Sequence, residues 1–191
     1  MNKDQILEML KEAGVLLEGH FLLTSGKHSE RYLQCAKIFQ NTKYAEPLCK
    51  ELAMKFIDQN IDLVIGPAIG AIQMAYEVSR HLGVRNIFAE RDNGVMTLRR
   101  GFTIGKGDRV FIVEDVVTTG GSVKEVIKIV EDYEGTIVGI GSIIDRTGGK
   151  IDFGYDFASV MSMEVTSYDA ANCPLCAKEI PIIKPGSRQI Q

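Results

Sequence analysis

The chain has 191 residues, of which 45% are hydrophobic and 25% charged, with a formal net charge of -3. That length holds one sizeable core, and that balance describes a globular protein without the overall basicity of a nucleic-acid binder, so any basic site must be local. The opening Met-Asn-Lys-Asp-Gln lacks the apolar core of a signal peptide, and no run is long enough to cross a bilayer, so a cytoplasmic location is expected.

Residues 4–13 place apolar and charged side chains at helical spacing, and Gly14 ends that helix before Val15-Leu16-Leu17. Over 19–39, aromatic and aliphatic residues mix with Ser, Gly and charge in short extended pieces, which predicts an irregular β-rich hood across roughly 14–40. A helix is predicted over 44–59, a buried strand over 61–65 and a second helix over 69–82. Then come a short strand at 86–89, a strand at 109–113, a helix at 123–133 and an apolar strand at 136–144. Strands alternating with helices predict one α/β domain over 1–191, with a mainly parallel sheet flanked by helices. Right-handed crossovers then bring the loops after Ile65, Val113 and Ile144 to one edge. The tail 173–191, with Pro174, Pro181 and Pro185, is expected to cover a sheet edge or complete a subunit contact.

Residues 110–122 read Val-Phe-Ile-Val-Glu-Asp-Val-Val-Thr-Thr-Gly-Gly-Ser. A strand buried on both faces leads into two adjacent carboxylates and a small-residue loop, and a helix begins behind the glycines. Unpaired amides and the positive end of a helix dipole favour an anion there, with phosphate the natural guest. Glu114 and Asp115 would repel a phosphate beside them and suit hydroxyls or a metal ion instead. Phosphate on one side and hydroxyls on the other describe a sugar phosphate.

This order resembles the phosphoribosyl-pyrophosphate signature of the type I phosphoribosyltransferases. The resemblance implies that family's fold, with Glu114 and Asp115 on the ribose hydroxyls and Asp115 catalytic. It also implies that Val116, Val117, Thr118, Thr119, Gly120, Gly121 and Ser122 hold the 5-phosphate. Gly66-Pro67-Ala68-Ile69-Gly70 stands where the family has its pyrophosphate loop, although orotate-specific members often carry an aromatic residue and a lysine at the positions of Ile69 and Gly70; a purely structural strand-to-helix turn is the alternative.

Asp145-Arg146-Thr147-Gly148-Gly149 puts a guanidinium at the same edge, and its planar fork matches a carboxylate. Here the chain resembles the orotate phosphoribosyltransferases, in which an arginine after this strand takes the orotate carboxylate and the Thr118 position neighbours orotate. An ion pair with Asp145 is the alternative for Arg146. Residues 21–29 are similar to that enzyme's N-terminal segment, with Thr24 where many members have lysine; the resemblance spans about 14–149. Residues 90–102 lack the lysine and histidine pattern of the family's mobile loop, which reaches across a dimer. Arg91, Arg99 and Arg100 supply positive charge instead, Arg99 and Arg100 being the candidate catalytic pair that neutralises a diphosphate leaving group, with 94–101 as a lid. A solvated hairpin is the alternative for these arginines.

The resemblance further implies a Mg2+ cofactor, a homodimer, and orotate and phosphoribosyl pyrophosphate as substrates, with no nucleic-acid or membrane partner. A phosphoribosyltransferase for another base such as a purine, and a non-catalytic regulator that senses phosphoribosyl pyrophosphate, remain open. Among the four cysteines, Cys173-Pro174-Leu175-Cys176 has the spacing of half a zinc site, but Cys35 and Cys49 form no second close pair and no histidine is expected nearby. These read as structural or incidental thiols, with redox pairing or metal binding as alternatives and no metal ligands assigned. His20, His28 and His81 are scattered and receive no catalytic role.

Overall fold

The computed structural model describes residues 1–23 and 25–185; the reading of Thr24 and the tail's final residues 186–191 lie outside them. Helix α1 (Lys3–Glu12) opens on a capping box, in which Asn2 Oδ1 accepts from the Gln5 amide at 2.9 Å and Gln5 Oε1 from the Asn2 amide at 3.0 Å. Strands β1 (Leu16–Leu22) and β2 (His28–Leu33) form an antiparallel hairpin, the predicted hood. A 3-10 stretch, Cys35–Gln40, leads to α2 (Thr42–Met54), which is capped by Asn41. Then follow β3 (Leu63–Pro67), α3 (Ala71–Leu82), β4 (Arg85–Asp92), β5 (Val95–Thr97), β6 (Arg109–Val117), α4 (Gly121–Asp132), β7 (Thr136–Asp145), β8 (Phe157–Ser162) and β9 (Ser167–Tyr168).

The main sheet runs β5-β4-β3-β6-β7-β8, parallel except for the β4–β5 pair, and β9 adds to β2 in a separate hood sheet. Its central strands are apolar on both faces, which is why they read as continuous runs. Val64, Phe111 and Val113 face α1, α2 and α3 through Leu10, Leu48, Leu52, Met74 and Val78, together with Phe56. Leu63, Ile65, Val110 and Ile112 point the other way, onto Val123, Val126 and Val130 of α4. This period-two alternation fixes the register, because a one-residue slip would exchange the two cores.

Several boundaries differ from expectation. The helix predicted over 44–59 ends at Met54, and its last part is a short 3-10 turn, Ile57–Gln59, closed by Asn60 at φ 46. The helix predicted from 69 begins at Ala71. The signature strand continues past Val113 to Val117, because Val116 and Val117 pair with Ile144 and Asp145 of β7. Strand β5 closes a hairpin through Asn93 and Gly94, at φ 49 and 85, the positive pair that suits a two-residue hairpin turn. Part of the segment expected as a lid is therefore sheet.

Candidate active site

The loops after β3, β6 and β7 meet at the carboxyl edge of the sheet, as the crossover rule requires. Glu114 and Asp115 lie near the end of β6, half-buried. Asp115 Oδ1 accepts from the Val116 amide at 2.8 Å, and Glu114 Oε1 from the Asp115 amide at 3.2 Å. Burial, followed by the charge of Asp115, pushes the Glu114 carboxyl well above the usual carboxylate range; burial raises Asp115 as well. Two touching carboxyls of this kind favour sharing a proton, so the pair can both donate to and accept from hydroxyls, or can ionise fully against a cation. Gly70 lies against this pair, since a Cβ there would sit 2.8 Å from Asp115 Oδ2. Its missing side chain lets the second loop approach the carboxylate, whereas Ile69 beside it is 86% exposed.

Helix α4 begins at Gly120, whose φ of 73 and bare backbone leave no side chain to cap the helix. The first-turn amides of α4 have no intrahelical acceptors and open towards a recess of about 60 Å³ lined by Glu114 and residues 116–123. A Cβ on Gly120 would lie 2.7 Å from Phe153 Cε1 and also strike Ile151, so glycine is required there by packing as well as by backbone sign. Val116 and Val117, expected in the loop, belong to β6, where the ladder engages them. The loop proper is Thr118, Thr119 and Gly120, leading into Gly121 and Ser122 of α4.

Arg146 follows β7, with its amide donating to Val117 O at 2.9 Å. The alternative of an ion pair with Asp145 is not what the structure shows. Asp145, 1% exposed, accepts from the Thr147 amide and hydroxyl and the Gly149 amide, each at 2.7 Å, and from Ser162 Oγ at 3.1 Å. Burial alone would raise its carboxyl, but these donors outweigh it and hold Asp145 below the usual range. Arg146 instead turns towards Tyr32 and Cys35 at the end of the hood, and its Nε is buried without an acceptor among the described residues. Burial works against its charge. Cys35 also lies near Asp115 and Glu114, and burial pushes its thiol well up. Sequence reasoning missed Tyr32, Cys35 and the anchoring role of Asp145; the only local signal was an acid at a strand end followed by Thr-Gly-Gly.

The loop arginines are engaged elsewhere. Arg91 makes a forked pair with Glu125 of α4 at 2.5 and 3.0 Å and donates to Gly94 O at 2.8 Å. Arg99 pairs with Asp92 at 3.8 Å, and Arg100, at φ 58, pairs with Glu90 at 3.0 Å over the Phe88 ring. Arg99 and Arg100 are both more than half exposed. Away from this edge the fold brings His20 and His28 against Cys173 and Cys176, which corrects the expectation that no histidine accompanies that cysteine pair. No helix among the described residues is long and apolar enough to cross a membrane.

The phosphoribosyl transferase domain model matches residues 36–174. The chain is similar to orotate phosphoribosyltransferase of Thermoanaerobacter sp., 58% identical over 99% of this chain and all of that protein. It is also similar to orotate phosphoribosyltransferase of Caldicellulosiruptor bescii, 54% identical over 99% of this chain and all of that one. Among solved structures, orotate phosphoribosyltransferase from Aeropyrum pernix shares the fold with a TM-score of 0.69 and 24% identity, covering 83% of this chain and 93% of that one.

Proposed function

The chain belongs to the orotate phosphoribosyltransferase family, and from that premise we propose that it transfers the phosphoribosyl group of phosphoribosyl pyrophosphate to orotate, yielding orotidine monophosphate and diphosphate for pyrimidine nucleotide synthesis. The observation that carries this reading is Arg146. A guanidinium with a buried, unaccepted Nε stands at the end of β7, at the same sheet edge as the acidic pair of β6, where a planar carboxylate satisfies it with parallel hydrogen bonds.

In this reading Arg146 holds the orotate carboxylate, with Thr118 beside the base. Amides of Thr118 to Ser122 surround the 5-phosphate at the uncapped start of α4. Glu114 and Asp115 grip the ribose hydroxyls, Asp115 serving as the catalytic carboxylate. The orotate ring nitrogen bonds to the anomeric carbon as the carbon–oxygen bond to diphosphate breaks, and diphosphate leaves with the electron pair through an oxocarbenium-like transition state. Arg99 and Arg100, released from Asp92 and Glu90, place positive charge at the leaving group. Mg2+ fits the donor set: two adjacent carboxylates, one pushed upward by burial and like charge, offer hard oxygens that a cation would relieve. When bound with the substrate's own oxygens, the ion supplies charge neutralisation at the departing diphosphate.

The working form proposed is a cytoplasmic homodimer of a single domain spanning 1–191. An apolar cleft of about 430 Å³ between α2, α3 and β4, lined by Phe39, Tyr76, Phe88 and Phe102, supports the dimer, with Tyr76 60% exposed. A purine-specific enzyme would have no need of Arg146, and the net charge of -3 opposes a nucleic-acid-binding regulator.

The test follows orotate absorbance on addition of phosphoribosyl pyrophosphate and magnesium. Turnover abolished in Asp115→Asn, and orotate use lost in Arg146→Ala with phosphoribosyl pyrophosphate binding retained, supports the reading. Orotate use indifferent to Arg146→Ala, with another base consumed, overturns it.

A further inference from the structure

We propose that His20, His28, Cys173 and Cys176 form a structural zinc site that fastens the C-terminal tail to the hood. The four potential ligand atoms lie within 4.8 Å of one another, from residues that are buried except for the half-buried Cys176. Cys176 Sγ is 3.3 Å from His28 Nδ1 and 3.8 Å from His20 Nε2, and Cys173 Sγ is 3.6 Å from His20 Nε2. The two imbidazole nitrogens are 2.9 Å apart. A tetrahedral zinc ion, with Zn–S about 2.3 Å and Zn–N about 2.0–2.1 Å, sets neighbouring ligand atoms roughly 3.3–3.8 Å apart, so the cluster needs only a small opening between the histidines to accept one.

A separate observation fixes the orientation of one ligand. His20 Nδ1 lies 2.7 Å from Ile180 O, a carbonyl that can only accept. The Nδ1 proton is therefore on that side, and the lone pair of Nε2 points into the cluster, as the outer hydrogen bond of a zinc-bound histidine requires. Two thiolates and two neutral imidazoles around a divalent cation sum to zero charge, which suits a buried position, and the two thiol protons go to solvent on binding. The sulfur and nitrogen donors select zinc over the hard, oxygen-seeking Mg2+ proposed at the catalytic edge.

The location gives the site work to do. His20 and His28 lie on β1 and β2, and the cysteines follow β9 by a few residues. The tail beyond them is tied back by the amide of Ile183 donating to His20 O at 2.8 Å and that of Leu22 donating to Ile183 O at 2.9 Å. Yet Ile180, Ile182 and Ile183 are 37%, 49% and 56% exposed, so apolar burial does little to hold the segment. Ordering a chain segment costs on the order of 1–2 kcal/mol per residue, and a metal clip meets that cost where a core cannot.

The experiment uses the full-length protein purified without a polyhistidine tag and without added metal, in the absence of substrates, so its result is independent of the orotate reading. About one zinc per chain by elemental analysis, released by a thiol reagent, is expected. Replacement by Co2+ should give thiolate-to-cobalt charge-transfer bands and the visible bands of a tetrahedral ion, and removal of zinc by a chelator should lower the Tm, with recovery on adding zinc back. Cys173→Ser/Cys176→Ser should lose the metal and the bands. The proposal is overturned if the reduced unmutated protein takes up neither zinc nor cobalt. It is equally overturned if the double variant keeps the same stoichiometry, or if a Cys173–Cys176 disulfide persists in the active protein. Because the cobalt spectrum is read on the unmutated chain, a misfolded variant does not remove the test.

Discussion

Asp145 and Glu114, on neighbouring strands, respond to folding with opposite sign. The donors around Asp145 outweigh its burial and depress its folded pKa, so its contribution to stability is present above the ordinary aspartate range and is lost as pH falls through the lower folded value. Glu114 is raised by burial and by Asp115, so the folded state holds its proton more tightly than the unfolded chain. Its contribution to stability is then greatest below the ordinary glutamate range and declines as pH rises from there through the folded value. Glu114→Gln should therefore raise the Tm of the ligand-free protein at neutral pH while weakening phosphoribosyl pyrophosphate binding. Asp145→Asn should lower the Tm at neutral pH, remove part of the acid-side loss, and raise the KM for orotate by loosening the turn that carries Arg146. Melting curves from acid to neutral pH on the two variants, with orotate kinetics on the second, check both. The acidic pair could be read from the sequence because its carboxylates are contiguous with an apolar strand. The role of Asp145 was legible only in part: Thr147 and Gly149 follow it closely, but Ser162 is 17 residues away and only the fold brings it in.

At the level of elements, the start of α4 combines a packing constraint with an anion-binding one. Gly120→Ala would force a side chain onto a left-handed backbone and into Phe153 and Ile151, costing together roughly 2–4 kcal/mol. The expected result is a lower denaturation midpoint and a loss of phosphoribosyl pyrophosphate affinity, read by denaturant titration and calorimetry. Full stability with intact affinity would show that the loop has another resting conformation. The helices and central strands were legible because burial on one or two faces leaves a period of 3.6 or an unbroken apolar run. Strand β8 is only half-buried along most of its length and β9 spans two residues, so neither writes such a pattern. The hairpin at Asn93-Gly94 carried a local turn signal, and a hairpin stood in the sequence as the alternative reading of the arginines around it.

Across the whole molecule, the proposed dimer makes a separate prediction. Tyr76→Glu puts a charge into the apolar cleft and should weaken self-association by roughly tenfold or more, measured by sedimentation velocity, with the melting behaviour of the monomer little changed. The meeting of histidines with cysteines was invisible in the sequence for a reason of the same scale: Cys173 and His20 are 153 residues apart, and only the completed fold joins them. The hood has a history in time as a result. Its hairpin leaves the ribosome about 150 residues ahead of β9, which covers the free edge of β2, and of Ile183, which pairs with Phe21. At a synthesis rate of roughly 5–20 residues per second, that edge waits on the order of ten to thirty seconds for its partner. For that interval the nascent chain carries an open strand, and the arrival of β9 and Ile183 decides when the hairpin is sealed.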